Sequence, residues 1–316
     1  MTATLRAHQS MALLRCLGEQ VAELRRGEEA VGSVHLAMGQ EAIPVGTCAA
    51  LRPDDALIST YRGHNWAVSK GAEPEAVIAE LLGRSGGTNG GRAGSALISA
   101  PEHDFVGENS IVGAGAPVAL GVALAFRRTG AERVAVTVFG DGAMNQGSVS
   151  EAFNFAAAFA LPLIFICENN GLSEHSRIEE MVGQAELYRR PEAFGIPSFR
   201  VDGNDPAAVQ QAVAAAADRA RRGEGPTFIE AITERLSGHN VGDLERYRRD
   251  GELEAARTRE PLVLSRARLL EQGVTEPEIG AAEARARQTI AEATERARKQ
   301  PLADASTVGD HVYVAA

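Results

Sequence analysis

The chain has 316 residues, 44% of them apolar and 23% charged, and a formal net charge of −10. That length accommodates one large α/β core with peripheral helices or two smaller domains, and the acidic excess argues against wholesale nucleic-acid binding while leaving room for arginines gathered around a phosphate. No run approaches the roughly 18 uninterrupted apolar residues of a membrane-crossing helix and no secretory leader stands before the first helical pattern, so the expected setting is cytoplasmic, with no membrane or nucleic-acid partner.

Cys16, Cys48 and Cys167 are odd in number, far apart and set among apolar residues, which reads as reduced core thiols and not as a disulfide frame or metal cluster. Residues 5–26 form an amphipathic helix, with Leu14, Leu17, Val21 and Leu24 stepping by three and four along one stripe. Residues 1–17 carry Arg6 and Arg15 and no acid, as a transit peptide does, but their apolar spacing runs straight into the next turns and is structural. After Gly32 the stretch Val34 to Gln40 brings His35 close to Met38, Gly39 and Glu41. By residue type alone, such a histidine is more often a satisfied structural group than an acid–base catalyst.

Arg52-Pro53-Asp54-Asp55 signals a turn, and Ala56 to Thr60 reads as a short strand leading into Tyr61-Arg62-Gly63-His64. Arginine suits a diphosphate because its planar donors engage two oxygens at once, although an isolated Tyr-Arg pair is usually a surface feature. Glu73 to Leu82 reads as a helix. Gly83 to Gly94 is a glycine-rich loop with Arg84 and Arg92; it lacks the lysine of a nucleotide loop and reads as a flexible connection. Val106 to Val112 leads into a small-residue helix from Gly113 to about Arg128, whose glycines serve close packing better than dinucleotide binding.

Arg133 to Gly140 is a β-branched, apolar run that reads as a strand buried on both faces. Asp141 to Gly147 is polar, a helix is expected from about Ala143 through SVSEAFNFAAAFAL, and Leu163 to Cys167 is a second buried strand ending in Glu168-Asn169-Asn170-Gly171. This βαβ unit puts oxygen-bearing side chains at the carboxyl ends of two strands, where open parallel sheets bind ligands. Asp141 and Asn170 offer a carboxylate and an amide oxygen suited to magnesium, which takes oxygen ligands and completes its shell with phosphate and water. Gly140 and Gly142 let the backbone approach an anion, and the N-terminus of the expected helix points its free N–H groups the same way. A lone Gly-Asp-Gly is more often an ordinary strand-turn-helix in which the aspartate merely caps the helix.

Pro191 to Gly195 is a turn region, Ser198 to Val201 a strand, 206–222 an alanine-rich helix capped by the turn after Asp202, and Thr227 to Thr233 a strand that delivers Glu234 to Asn240. Arg235 and His239 in that loop have the donors to meet diphosphate oxygens, though on a loop they equally read as solvated surface. Pro261 to Gln272 is a helix, and Thr275-Glu-Pro-Glu is a capping box opening a charged helix to about Lys299, with one solvated face and an apolar side free to pack on a partner.

GDGAMNQG, EAFNFAAAFALP and IFICENNG, with Asn170 29 positions after Asp141, look like the thiamine diphosphate motif. VHLAMGQEAIPVG, LRPDD, STYRGH, SKGA, GENSIVGAGAPVALGVALA, VDGND, GPTFIEA and RLSGHNVGD resemble, in the same order, the alpha subunit of the thiamine-dependent decarboxylating component of 2-oxo acid and acetoin dehydrogenase complexes. The resemblance covers nearly the whole chain. It implies a thiamine diphosphate-binding α/β fold, a central, mostly parallel sheet with helices on both faces, spanning 1–260, followed by a helical tail, 261–316, packed on the same domain or on a partner.

Carried over position by position, the resemblance makes His35 face the substrate channel and assist acyl transfer, with His239 the second candidate catalytic group. Tyr61, Arg62, Arg235 and His239 are placed on the cofactor diphosphate, with His64 a weaker lining candidate. The backbone at Ile111 and Val112 meets the aminopyrimidine. Gly140, Asp141, Gly142 and Ala143 form the first half of the motif, Asp141 and Asn170 ligate Mg2+, and Leu172 completes the metal shell through its carbonyl.

The sequence departs from the family at four places. Ala93-Gly94-Ser95-Ala96-Leu97 stands where Gly-Gly-Ser-Met-His is usual, Ser110 replaces a glycine, Leu172 replaces a common tyrosine, and Asn240 takes the place of a serine whose phosphorylation would put charge beside the cofactor. In the family a separate beta subunit supplies the glutamate that promotes the cofactor ylid, so the resemblance implies an α2β2 half-enzyme. The resemblance further implies that it cleaves a small carbonyl substrate, a pyruvate-like 2-oxo acid or acetoin, and hands the acyl unit to a lipoyl-bearing acyltransferase. Two alternatives are a biosynthetic relative that moves a two-carbon ketol unit to a carrier-protein thiol, and a noncatalytic interaction subunit.

Overall fold

A computed structural model describes residues 2–30, 32–310 and 312. In chain order the helices are α1 (Ala3–Arg26), α2 (Ala42–Ala50), α3 (His64–Lys70), α4 (Pro74–Leu81), α5 (Gly115–Thr129), α6 (Gly147–Ala158), α7 (Ile178–Met181), α8 (Arg189–Glu192), α9 (Pro206–Arg221), α10 (Glu252–Thr258), α11 (Pro261–Glu271) and α12 (Glu276–Lys299). The strands are β1 (Ala56–Ile58), β2 (Phe105–Gly107), β3 (Ala135–Gly140), β4 (Leu163–Asn169), β5 (Leu172–Ser173), β6 (Ser176–Arg177), β7 (Ser198–Asp202) and β8 (Thr227–Ile232).

Six strands form one parallel sheet in the order β2-β1-β3-β4-β8-β7, and β5 pairs antiparallel with β6 in a small hairpin. Side chains alternate across each strand. In β3 and β4, Val136, Val138, Ile164 and Ile166 join one buried cluster with Leu17, Val21 and Leu24 of α1, while Phe139, Phe165 and Cys167 join another with Ala116 and Ala119 of α5 and Phe153 of α6. Helices cover both faces, which is why these strands read as continuous apolar runs. The three cysteines are free thiols, Cys167 buried and the other two half-buried.

The ends of the elements have local causes. Thr2 accepts the Leu5 N–H at the start of α1, Asp205 accepts that of Ala207 at the start of α9, and Thr275 with Glu278 forms the capping box of α12. The apolar side of α12 (Ile279, Ala282, Ala286, Ile290, Ala293) is buried along α1 and α4 of this same chain. His8 of α1 ties the tail further, its Nδ1 lying 3.1 Å from Ser265 Oγ and its Nε2 3.1 Å from Glu283 Oε1. Among the described residues no helix is long and apolar enough to cross a membrane.

Three local expectations are corrected. No α-helix begins near Ala143: Asp141–Asn145 is a 3-10 turn, the backbone extends at Gln146, and α6 begins at Gly147. The glycine-rich loop is not a flexible connection. It wraps the buried carboxylate of Glu80, which accepts the N–H groups of Asn89, Gly91, Ala93 and Gly94 at 2.6–3.2 Å. Thr60 lies beyond the end of β1, in the loop that carries Tyr61 and Arg62.

Candidate active site

The carboxyl ends of β1, β3, β4 and β8 open into one cavity of about 320 Å3 beside the point where the chain, having passed from β1 to β2, returns to β3 on the other side. It gathers His35, Tyr61, Arg62, Val112, Gly140, Asp141, Gly142, Ala143, Asn170, Leu172, Arg235 and His239 from six separate segments. Two candidates lie outside it. Ile111 is 72% exposed at the rim, and His64 is buried and turned away, its Nε2 2.9 Å from Ser95 Oγ and 3.0 Å from Ser95 O.

Asp141 is 1% exposed, yet its Oδ2 has no hydrogen-bond partner. Burial pushes its carboxyl up to about 6, against the N–H groups of its own residue and Gly142. At Gly140, by contrast, a Cβ would point into open space. An orphaned carboxylate oxygen beside an open cradle fits a cation that brings its own anion. Among the described residues no group of three or more His, Cys, Asp or Glu side chains forms a protein-only metal cage, and magnesium held partly by phosphate needs none.

The two adjacent asparagines have different tasks. Asn169 donates to buried Glu230 at 2.7 Å and accepts the Gly171 N–H at 3.0 Å, so it is consumed by the fold. Asn170 accepts the Leu172 N–H on Oδ1 at 3.1 Å and donates from Nδ2 to Gln40 Oε1 at 2.8 Å, which fixes its amide in the cavity wall.

Arg62 and Arg235 are buried, and among the described residues neither is in an ion pair. Arg62 donates to the carbonyls of Leu36 and His239, thereby joining the His35 segment to the loop after β8. Burial, and then repulsion from Arg235, lowers its guanidinium to about 10, still charged at neutral pH. Arg235 donates to Glu174 O at 3.0 Å and to the Tyr247 hydroxyl at 2.8 Å. Two buried cations, neither held in an ion pair, suit the cavity to an anion.

The imidazoles of His35 and His239 lie 4.8 Å apart, and the Tyr61 ring is 4.5 Å from His35. Burial, followed by the charge of Arg62, presses His35 to about 3 and His239 to about 4, so both are neutral at neutral pH. Each has an unpartnered, buried Nδ1. Asp243 braces the His239 loop, accepting the His239 N–H at 2.7 Å and the Tyr247 hydroxyl at 2.8 Å.

Sequence reasoning missed Gln40, Asn109, Glu168 and Glu174 as cavity residues. Glu168 is buried and receives the indole N–H of Trp66 at 3.3 Å; burial raises its carboxyl to about 7, against the charge of Arg62. Its position at the carboxyl end of β4, two residues before Asn170, was the available signal, since ligands bind at the carboxyl ends of parallel strands.

Comparison with known proteins bears on this arrangement. Residues 8–306 match the model of the family described as "Dehydrogenase E1 component". The chain is 36% identical over 304 residues to the pyruvate dehydrogenase E1 component subunit alpha of Rhizobium meliloti, covering 96% of this chain and 87% of that one. It is 37% identical over 297 residues to the protein of that name from Zymomonas mobilis, covering 93% and 84%. It is also 35% identical over 312 residues to the mitochondrial somatic form from Homo sapiens, covering 98% and 79%. The matched range includes every segment that contributes to the cavity, and the chain belongs to the dehydrogenase E1 component family.

Proposed function

We propose that this chain is the alpha half of a thiamine diphosphate- and magnesium-dependent enzyme. It cleaves a 2-oxo acid of the pyruvate type, or acetoin, and passes the acyl unit to a lipoyl group. The observation that carries this reading is the orphaned Asp141 Oδ2 in the wall of a cavity that also holds two arginines without carboxylate partners. The names of the relatives support it.

Asp141, Asn170 and the backbone at Leu172 would hold the metal. Tyr61, Arg62, Arg235 and His239 would hold the diphosphate, with Gly140, Gly142 and Ala143 allowing close backbone approach and the backbone at Ile111 and Val112 meeting the aminopyrimidine. The bound cofactor supplies an electron sink for the bond broken beside the carbonyl. The protein fixes the anion with guanidinium donors already placed before binding, so little reorganisation is needed. His35 and His239, neutral at neutral pH, carry the Nδ1 atoms available to give or take a proton near the acyl group.

The rim is open where Ile111 and Val112 are exposed, which suits a site completed by a beta subunit in an α2β2 assembly. The tail from 261 belongs with the 1–260 domain in this reading, since α12 lies along α1 and α4. A second reading, a carrier-protein thiol as acceptor, rests only on Leu97 standing where the family has histidine.

The test is carbon dioxide release from pyruvate by this chain combined with its beta subunit. Release should require added thiamine diphosphate and magnesium and vanish in Asp141→Asn. Release that persists in that variant would refute the assignment.

A further inference from the structure

The side chain of Gln40 is 1% exposed and lines the cavity, yet its Nε2 is buried and has no partner. Amide nitrogens and oxygens are distinguished by their partners, and here the partners form a chain. The Leu172 N–H must meet an oxygen, so it fixes Asn170 with Oδ1 toward Leu172 and Nδ2 toward Gln40. That nitrogen must in turn meet an oxygen, so Gln40 presents Oε1 to Asn170, leaving its NH2 without a protein acceptor.

The backbone around residue 40 is rigid. Gly39 lies at φ +91°, where an added Cβ would stand 2.3 Å from Glu234 O. The Glu41 carboxylate, fully buried, accepts the Gly39 N–H at 3.1 Å and a two-pronged bond from Arg15 at 2.6 and 3.1 Å. The backbone at Gln40 is thus held on both sides, and its amide is kept from water by burial and by the bond from Asn170. An NH2 is a donor only, so what it lacks is an acceptor, and a cation would be repelled.

We propose that Gln40 is a further anion-binding residue, donating from Nε2 to a phosphoryl oxygen of the ligand while its Oε1 holds Asn170 in the orientation that serves the metal. The inference rests on the functional reading above and deepens it by one residue.

The two tasks separate in a pair of variants. Gln40→Glu is isosteric and keeps the acceptor for Asn170, but replaces the donor with a charge that repels phosphate. Gln40→Met keeps approximate volume and removes both. Pyrophosphate and thiamine diphosphate, each with saturating magnesium, are titrated into the assembled alpha–beta protein. Heat is the readout, together with the fluorescence of Trp66, the one tryptophan in the chain, whose indole touches the cavity residue Glu168.

The proposal expects Gln40→Met to bind both ligands about tenfold to a hundredfold more weakly than the wild type, the range for a lost hydrogen bond to a charged group, and Gln40→Glu to be weaker still. A role confined to holding Asn170 predicts the reverse order, with Gln40→Glu close to wild type, and that order overturns the proposal. Equal affinity in all three also overturns it, and if Gln40→Glu fails to fold, Gln40→Met binding like wild type does so alone. Absence of binding in the wild type would sink the functional reading itself, a distinct result.

Discussion

The residues that hold the site depend on a buried ion network whose energetic weight is open to measurement. Glu41 is fully buried, and Arg15, its side chain 15% exposed, lies between it and Glu260, at 2.6 Å from each. Removing one member of a buried pair costs about 3–5 kcal/mol because the other charge stays behind, desolvated. The two single variants differ in what they strand. Arg15→Met leaves Glu41 with the Gly39 N–H alone, which points to the upper end, about 4–5 kcal/mol. Glu41→Gln leaves Arg15 still paired with Glu260, which points to the lower end, about 3 kcal/mol. The double variant Arg15→Met/Glu41→Gln removes both charges of the pair and should be more stable than the sum of the singles predicts by about 2 kcal/mol or more. Urea unfolding, followed by circular dichroism and by Trp66 fluorescence to check that both report one transition, gives these values. A loss under about 1 kcal/mol for Arg15→Met, or strict additivity, would refute the reasoning.

Further outcomes follow from groups whose burial is unbalanced. Glu108 is buried with both carboxylate oxygens unpartnered, and burial raises its carboxyl well above the ordinary 4.5. The native state therefore holds a proton that the unfolded chain releases, and stability is full below the unfolded value and lost as pH rises toward the folded one, at up to about 1.4 kcal/mol per pH unit. Glu108→Gln should flatten that slope and raise the melting temperature at pH 8, and parallel pH profiles for the two proteins would contradict it. Asp141→Asn should abolish magnesium-dependent cofactor binding while leaving the ligand-free melting temperature unchanged or higher, since the native Oδ2 is unsatisfied; a lowered melting temperature would show that the carboxylate serves the fold. Tyr247→Phe removes the hydroxyl shared by Arg235 and Asp243. It should weaken pyrophosphate binding about tenfold, the loss of roughly 1.4 kcal/mol, and speed tryptic cleavage after Arg246 and Arg248; unchanged values for both would remove Tyr247 from the support of the site.

What the sequence made legible was what depends on local pattern. The β3 and β4 strands announce themselves because both faces are covered and, Thr137 apart, their positions are apolar up to the carboxyl ends, where the Gly-Asp-Gly and the asparagines sit. Boundaries with caps were equally readable, as at Thr275. Strands of two or three residues are too short to carry a period; β1 was readable from the turn signal before it, whereas β2, β5 and β6 were not, so the sheet edge and the hairpin after Asn170 were invisible. The remaining omissions are non-local. Glu80 orders a glycine loop that composition alone marks as flexible, and Gln40 meets Asn170 across 130 positions of chain. The choice between Asn169 and Asn170, which the family motif supplied, becomes physical only when Glu230 arrives from β8 to occupy Asn169.

The central claim is that this cavity is half of a thiamine diphosphate site. The most direct measurement is calorimetric titration of thiamine diphosphate with magnesium into the chain alone and into the chain copurified with its beta subunit. Saturable, magnesium-dependent binding that appears or strengthens sharply only in the assembly is the predicted result. No binding in either state would contradict the account and leave the chain an interaction subunit on a catalytic fold.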